Sequence, residues 1–145
     1  INPFGKVPAI VDELDGQTLN LWESGAILIY LNQRYRPDLT EAARAIDGQW
    51  IVFANASLGP GVFSEASRER EAPRLLGGLD SLLANQPFLT GATFSAADVA
   101  VGAMLFYIPF MLKMDLSPYP AIEAYLKQLG GRPAFQTAIG SKYGI

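Results

Sequence analysis

Almost all the strand signal in this chain lies in its first 22 residues, in an arrangement that fixes a topology locally. Lys6 to Glu13 and Thr18 to Trp22 are apolar and β-branched runs, the second alternating at Leu19 and Leu21, with Asp15-Gly16 between them. An Asp-Gly pair accepts positive φ at both centres of a tight turn, so the runs predict an antiparallel hairpin. Pro8 has no N–H to give a ladder and, beside a strand, needs a special turn. A cis Val7-Pro8 bond is the expected one, leaving the Val7 N–H and C=O free for an extended ligand backbone. Glu23 to Tyr35 then reads as a helix with Ile27, Leu28, Tyr30 and Leu31 inward.

Beyond Arg36-Pro37-Asp38 the pattern is helical. Ala42, Ala43, Ile46, Trp50, Phe53, Ala54 and Ser57 keep a helical period from Thr40 onward, and Leu58-Gly59-Pro60-Gly61 is expected to close that helix. A second stretch carries Leu75, Leu76, Leu79, Leu82 and Leu83, with Pro73 read as a kink inside a longer helix. Ser95-Ala96-Ala97-Asp98 is a capping box with Asp in place of Glu, flanked by Phe94 and Val99 at the staple positions. Asp98 therefore reads as a structural cap rather than a catalytic acid.

Val99 to Leu112 is an apolar run containing Gly102 and Pro109, shorter than the ~20 residues a membrane span needs. It is expected to form a core helix covered on every side. Tyr119 to Leu129 carries Ile122, Tyr125, Leu126 and Leu129 inward before Gly130-Gly131, and Pro133 opens a last helix. The expected fold is mainly α, of the α+β class: a hairpin and helix over residues 1–36, then an all-α bundle of about five helices over 41–145.

Composition removes several chemistries. The 145 residues contain no cysteine and no histidine. Disulfides, thiolate metal sites, a protein thiol nucleophile and Ser-His-Asp catalysis are therefore absent from the chain, and no metal is expected. Any thiol must arrive with a ligand. A net charge of −3 gives no basic surface for nucleic acid. A membrane is likewise not expected as a partner, and a cytoplasmic location is.

The candidate site follows from the chain's first turns. Ser24 opens a helix, whose unpaired N–H groups and dipole attract a carboxylate. Lys6 adds a mobile cation. Taken singly, Ser24 is an N-cap and Lys6 and Glu23 are solvated surface. Taken in order with Val7-Pro8, they describe a docking site for a small anionic peptide.

These residues resemble a family. Gly5-Lys6-Val7-Pro8, Glu23-Ser24-Gly25-Ala26-Ile27 and Tyr30-Leu31 are similar to the second half of the glutathione-binding domain of cytosolic glutathione transferases, nearest the bacterial theta-, beta- or nu-like groups. Trp50, Leu58-Gly59-Pro60, Phe88-Leu89-Thr90-Gly91 and Phe94-Ser95-Ala96-Ala97-Asp98 extend the resemblance over nearly the whole chain. The resemblance implies a partial thioredoxin-like domain followed by the family's C-terminal helical bundle. It also implies that a β-α-β unit bearing the thiol-activating Ser, Tyr or Cys precedes residue 1, so no catalytic residue is expected in this chain.

In the implied roles, Val7 pairs through its backbone with the cysteinyl unit of glutathione and Pro8 holds that geometry. Lys6 faces the glycyl carboxylate, Ser24 the γ-glutamyl carboxylate and Glu23 its ammonium group. A pocket between the domains, with Trp50, Phe53, Phe106 and Phe110 as candidates, takes a small hydrophobic electrophile. At helical spacing such aromatics are more often ordinary core, which is the stronger reading of them. The implied activity is conjugation of the glutathione thiolate to the electrophile by a homodimer. Alternatives sharing every residue are a glutathione-dependent isomerase, dehalogenase or disulfide reductase, and a non-catalytic interaction module.

Overall fold

Asp15 and Gly16 take φ values of 52° and 76°, which folds β2 (Gln17–Trp22) back on β1 (Ala9–Leu14) through a two-residue turn. The computed structural model describes residues 1–140. The antiparallel register sets Ala9 opposite Trp22 and Leu14 opposite Gln17. The ladder starts at Ala9 rather than at Lys6, because Pro8 brings no donor to it. Val7-Pro8 is cis, as expected.

Helix α1 (Ser24–Tyr35) buries Ile27 and lies across the hairpin. The Tyr30 hydroxyl donates to Asp12 Oδ2 at 2.6 Å, and Arg34 Nε lies 3.4 Å from the same oxygen. On its other side α1 meets α2 (Glu41–Phe53), and Gly25 makes that approach possible. A Cβ there would stand 2.9 Å from Asn55 Nδ2 and 3.1 Å from Ile51 Cγ2. Asn32 Nδ2 donates to the buried Asp47 Oδ2 at 2.8 Å, a second tie between the two helices.

Thr40 caps α2, accepting from the Ala43 N–H at 3.1 Å. The helix does not close at Leu58-Gly59-Pro60-Gly61. It runs on through a π turn (Ala54–Leu58) into α3 (Gly59–Phe63). Pro60 lacks an N–H, and its ring would crowd a carbonyl of a regular α turn; the widened π turn just ahead of it accommodates both. The inward face is Asp47, Ile51, Ala54, Leu58 and Val62. That is one position on from the expected stripe, and Ile46 is 47% exposed.

Helix α4 (Glu65–Leu83) continues through Pro73 and buries Ala72, Leu75, Leu76, Leu79 and Leu83. Its Asp80 Oδ1 accepts from the Ala121 and Ile122 N–H groups at 2.8 and 3.0 Å. This caps α6 (Pro120–Gly130) from another helix, where Tyr119 makes no side-chain cap. Helix α7 (Pro133–Phe135) and a π turn (Gln136–Gly140) follow.

At the centre is α5 (Ala96–Tyr107), continued by a π turn (Ile108–Leu112). The capping box forms: Ser95 Oγ accepts from the Ala97 N–H at 3.2 Å, and Asp98 Oδ2 from the Ser95 N–H at 2.8 Å. Asp98, 1% exposed, does more than close the box. Its Oδ1 also accepts from the Leu89 N–H at 2.9 Å and the Tyr125 hydroxyl at 2.8 Å, fastening α5 to the preceding loop and to α6. Burial, reinforced by the Asp98 charge, pushes the Tyr125 hydroxyl pKa far upward.

The expectation of a fully covered α5 run fails on one side. Val101, Leu105 and Ile108 join the core with Ile51, Leu58, Leu76 and Ile122. Val99, Tyr107, Phe110 and Met111 are exposed, Met111 at 67%. Among the described residues α1, α2 and α6 cover only part of its circumference. No helix is long and apolar enough to cross a membrane among the described residues.

Candidate functional site

The hairpin register decides what meets at its open end. With Ala9 opposite Trp22, Val7-Pro8 entering β1 and Glu23-Ser24 leaving β2 lie at the same end. The loop that carries Lys6 there is ordered by Asn2. Its Oδ1 accepts from the Phe4 N–H at 2.9 Å, its Nδ2 donates to the Lys6 carbonyl at 2.7 Å, and its carbonyl accepts from the Gly5 N–H at 3.1 Å. The Phe4 ring meets Trp22 edge-on at 5.2 Å. Sequence reasoning assigned Asn2 no role, although Asn-Pro is a turn-initiating pair.

Val7 is 91% exposed, and its backbone N–H and C=O have no partner among the described residues. A free N–H and C=O on one extended residue accept a ligand strand as a sheet edge does. Glu23, at φ 71°, is the residue that precedes the helix, and its side chain makes no cap. The first backbone bond of α1 runs from the Ile27 N–H to the Glu23 carbonyl, so the earlier N–H groups of the helix have no acceptor among the described residues.

Ser24 is therefore not the cap that its sequence position suggests. Its hydroxyl donates to Asn55 Oδ1 at 3.3 Å, and Asn55 Nδ2 donates to the Ile51 carbonyl at 2.9 Å. Asn55 is a second residue the sequence did not single out, since its contact with α1 depends on how the helices cross. Lys6 and Glu23 are exposed, and their side chains make no hydrogen bond or ion pair among the described residues. The end of the hairpin thus offers a cation, a free peptide edge, an open helix start and a carboxylate. Among the described residues no cluster of acidic side chains could hold a metal ion.

The aromatic candidates separate. Phe106 and Phe110 line a cavity of about 710 Å³ between α5, its π turn and the segment from Arg132 to Ile139. Phe106 also stacks on Phe135 with centroids 4.6 Å apart. Trp50 and Phe53 lie elsewhere: they meet edge-on at 5.4 Å and pack against the core from α2. The cavity thus sits inside the helical part rather than between it and the hairpin. A smaller space of about 200 Å³ does lie between α1 and α5, bounded by Leu28, Leu31, Phe94 and Val99. Arg36 at its rim is already paired with Asp38 at 2.9 Å.

Residues 1–33 match the family model for the glutathione S-transferase N-terminal domain, and residues 32–128 match that for the glutathione S-transferase C-terminal domain. This chain belongs to the glutathione S-transferase family. A glutathione S-transferase domain-containing protein of Dictyostelium discoideum is 34% identical to it, over 92% of this chain and 60% of that protein. The disulfide-bond oxidoreductase YfcG of Escherichia coli (strain K12) is 32% identical over 96% of this chain and 74% of its own length. A crystal structure of a Burkholderia graminis glutathione transferase, with two glutathione molecules bound per subunit, superposes with a TM-score of 0.80. It is 29% identical over 98% of this chain and 70% of that one. The chain therefore spans about three fifths of the length of the first of these relatives and about three quarters of the second.

Proposed function

We propose that this chain provides most of a glutathione site, and that the protein it belongs to transfers the glutathione thiolate to small electrophilic carbon compounds. The observation that carries the reading is the unpaired Val7 backbone edge, set at the same hairpin end as the open start of α1. The Val7 N–H and C=O take the cysteinyl unit. Lys6 takes the glycyl carboxylate, and Ser24 with the α1 N-terminus takes the γ-glutamyl carboxylate beside Glu23. Pro8 borders the cysteinyl position. The glutathione complex of the Burkholderia graminis relative supports this ligand.

The chemistry demands a thiolate. A free thiol has a pKa near ~8.5 and is mostly protonated at neutral pH, so a donor to the sulfur is required. We assign that donor to none of these 145 residues. Phe106 and Phe110 form the apolar wall for the second substrate, while Trp50 and Phe53 serve the core. We assign residues 1–36 to the glutathione-binding domain and 41–145 to the helical one, and expect a cytoplasmic homodimer.

One observation favours a second reading, glutathione-dependent disulfide reduction: the relative YfcG is named a disulfide-bond oxidoreductase. Calorimetric titration of glutathione into the intact protein tests the common ground, and its absence would sink both readings. Rates with chlorodinitrobenzene and with hydroxyethyl disulfide then decide between them. Disulfide turnover without aryl conjugation replaces the first reading by the second.

A further inference from the structure

One side chain at the open end of the hairpin belongs neither to the hairpin nor to α1. Asn55, exposed in the π turn that continues α2, accepts the Ser24 hydroxyl on Oδ1 at 3.3 Å, while its Nδ2 donates to the Ile51 carbonyl at 2.9 Å. The second bond settles which end of the amide faces Ser24. A carbonyl at Ile51 takes the NH2, so the amide oxygen is the atom presented to α1. Gly25 lets the amide come this close, since a Cβ there would stand 2.9 Å from Nδ2. Among the described residues Oδ1 has no other donor than Ser24.

The γ-glutamyl unit carries its ammonium and its carboxylate on one carbon, about 3 Å apart by ordinary bond lengths. A donor and an acceptor at a similar separation match that pair. Ser24 Oγ and Asn55 Oδ1 are 3.3 Å apart, and they become such a pair once the hydroxyl turns its one hydrogen from the amide to the carboxylate. The Oδ1 that gives up this hydrogen then needs another donor, and an ammonium has three, more than Glu23 alone uses. We propose that Asn55 is a ligand-binding residue of the γ-glutamyl position: it holds the Ser24 hydrogen before the ligand arrives and accepts from the ammonium afterwards. This rests on the glutathione reading and adds to it a selectivity for the free amino group, supplied from the helical part of the chain.

The test is calorimetric titration of the intact protein with glutathione and with glutaryl-cysteinyl-glycine, which lacks only that ammonium. The native protein should prefer glutathione. Asn55→Leu, which keeps a side chain of similar size without an acceptor, should weaken glutathione about tenfold or more, the scale of a lost hydrogen bond to a charged group. The deaminated peptide should bind the variant as well as before or more tightly, because the Ser24 hydrogen is no longer held. Asn55→Ala should reproduce the pattern, and thermal melts show that each variant is folded. A purely structural role for Asn55 would lower both affinities together. Equal binding of the two peptides by the native protein, equal loss of both in the variants, or an unchanged glutathione affinity overturns the proposal and leaves the glutathione reading standing. A native protein that binds neither peptide overturns the glutathione reading and this inference with it.

Discussion

Ser24 shows how one hydroxyl is reassigned by its neighbours. A serine at a helix start ordinarily caps it, but this hydroxyl turns to Asn55 and the preceding Glu23 occupies the cap position. The Asn55 contact is long, and on binding the hydroxyl would turn its one hydrogen to the γ-glutamyl carboxylate, so Ser24→Ala should leave stability nearly unchanged while weakening glutathione by up to ~1.5–3 kcal/mol, the range for a hydrogen bond to a charged group. Calorimetry on the intact protein checks this; equal affinity in the variant and the native protein removes Ser24 from the site. Asp98 is the opposite case, a carboxylate whose partners are all structural. Tyr125→Phe, which removes one donor, should cost ~1.5–3 kcal/mol, and Asp98→Asn should cost more because its amide brings N–H groups among three donors. Denaturant titration measures both, and an Asp98→Asn cost below that of Tyr125→Phe contradicts the network.

At the scale of elements, α1 is held to β1 through Asp12. The Tyr30 hydroxyl, then the Glu13 N–H, with the Arg34 charge in support, hold the Asp12 pKa below its usual value near 3.8. A carboxyl whose pKa is lower folded than unfolded adds stability that is fully present above the unfolded value. That stability is lost as pH falls through the folded one. Asp12→Asn should accordingly lower the melting temperature at about pH 6 and flatten its decline toward about pH 2. An acid limb as steep as the native one would assign the decline to Asp38 and Glu71, which arginines shift the same way. The start of α5 makes a comparable local test, since Ser95→Ala should cost ~0.5–2 kcal/mol by denaturant titration.

These elements also show what a sequence makes legible. The Asp15-Gly16 turn, the Thr40 helix start and the Ser95-Asp98 box are specified by neighbours a few residues apart, and each appears where the residues predict it. Lys6, Val7, Glu23 and Ser24 were readable as a cluster because a hairpin register is also local. Wherever an outcome depended on which helices touch, the signal was missing. The π turn let α2 pass Pro60, and Trp50 and Phe53 pack on the core away from the cavity, as the crossing of the helices decides. The Asp80 cap on α6 joins residues 41 apart. The bare side of α5 has the same apolar composition as its buried side, so composition alone did not tell them apart.

For the whole molecule, the question is how a two-stranded sheet and a half-covered central helix coexist in one chain. A lone hairpin is marginal in water, and among the described residues this one is supported mainly by α1 and, through α1, by α2 and α5. Each strand keeps one edge without a ladder partner among the described residues. Phe4, Val11 and Ile29 are exposed on the hairpin and α1, Ile46 and Val52 on α2, and Val99, Tyr107, Phe110 and Met111 along α5 and its π turn. Exposed apolar surface of this extent favours association, and a net charge of −3 opposes it only weakly. The 145-residue chain should therefore scatter light with a mass above that of one copy at micromolar concentration. Val52→Glu and Met111→Glu assign the contact: association relieved by the first places it on α2, and by the second on the exposed side of α5 and its π turn. A monodisperse monomer would mean that the exposed apolar residues are too scattered to drive assembly, and the hairpin would then owe its stability to contacts within one chain, chiefly those of α1.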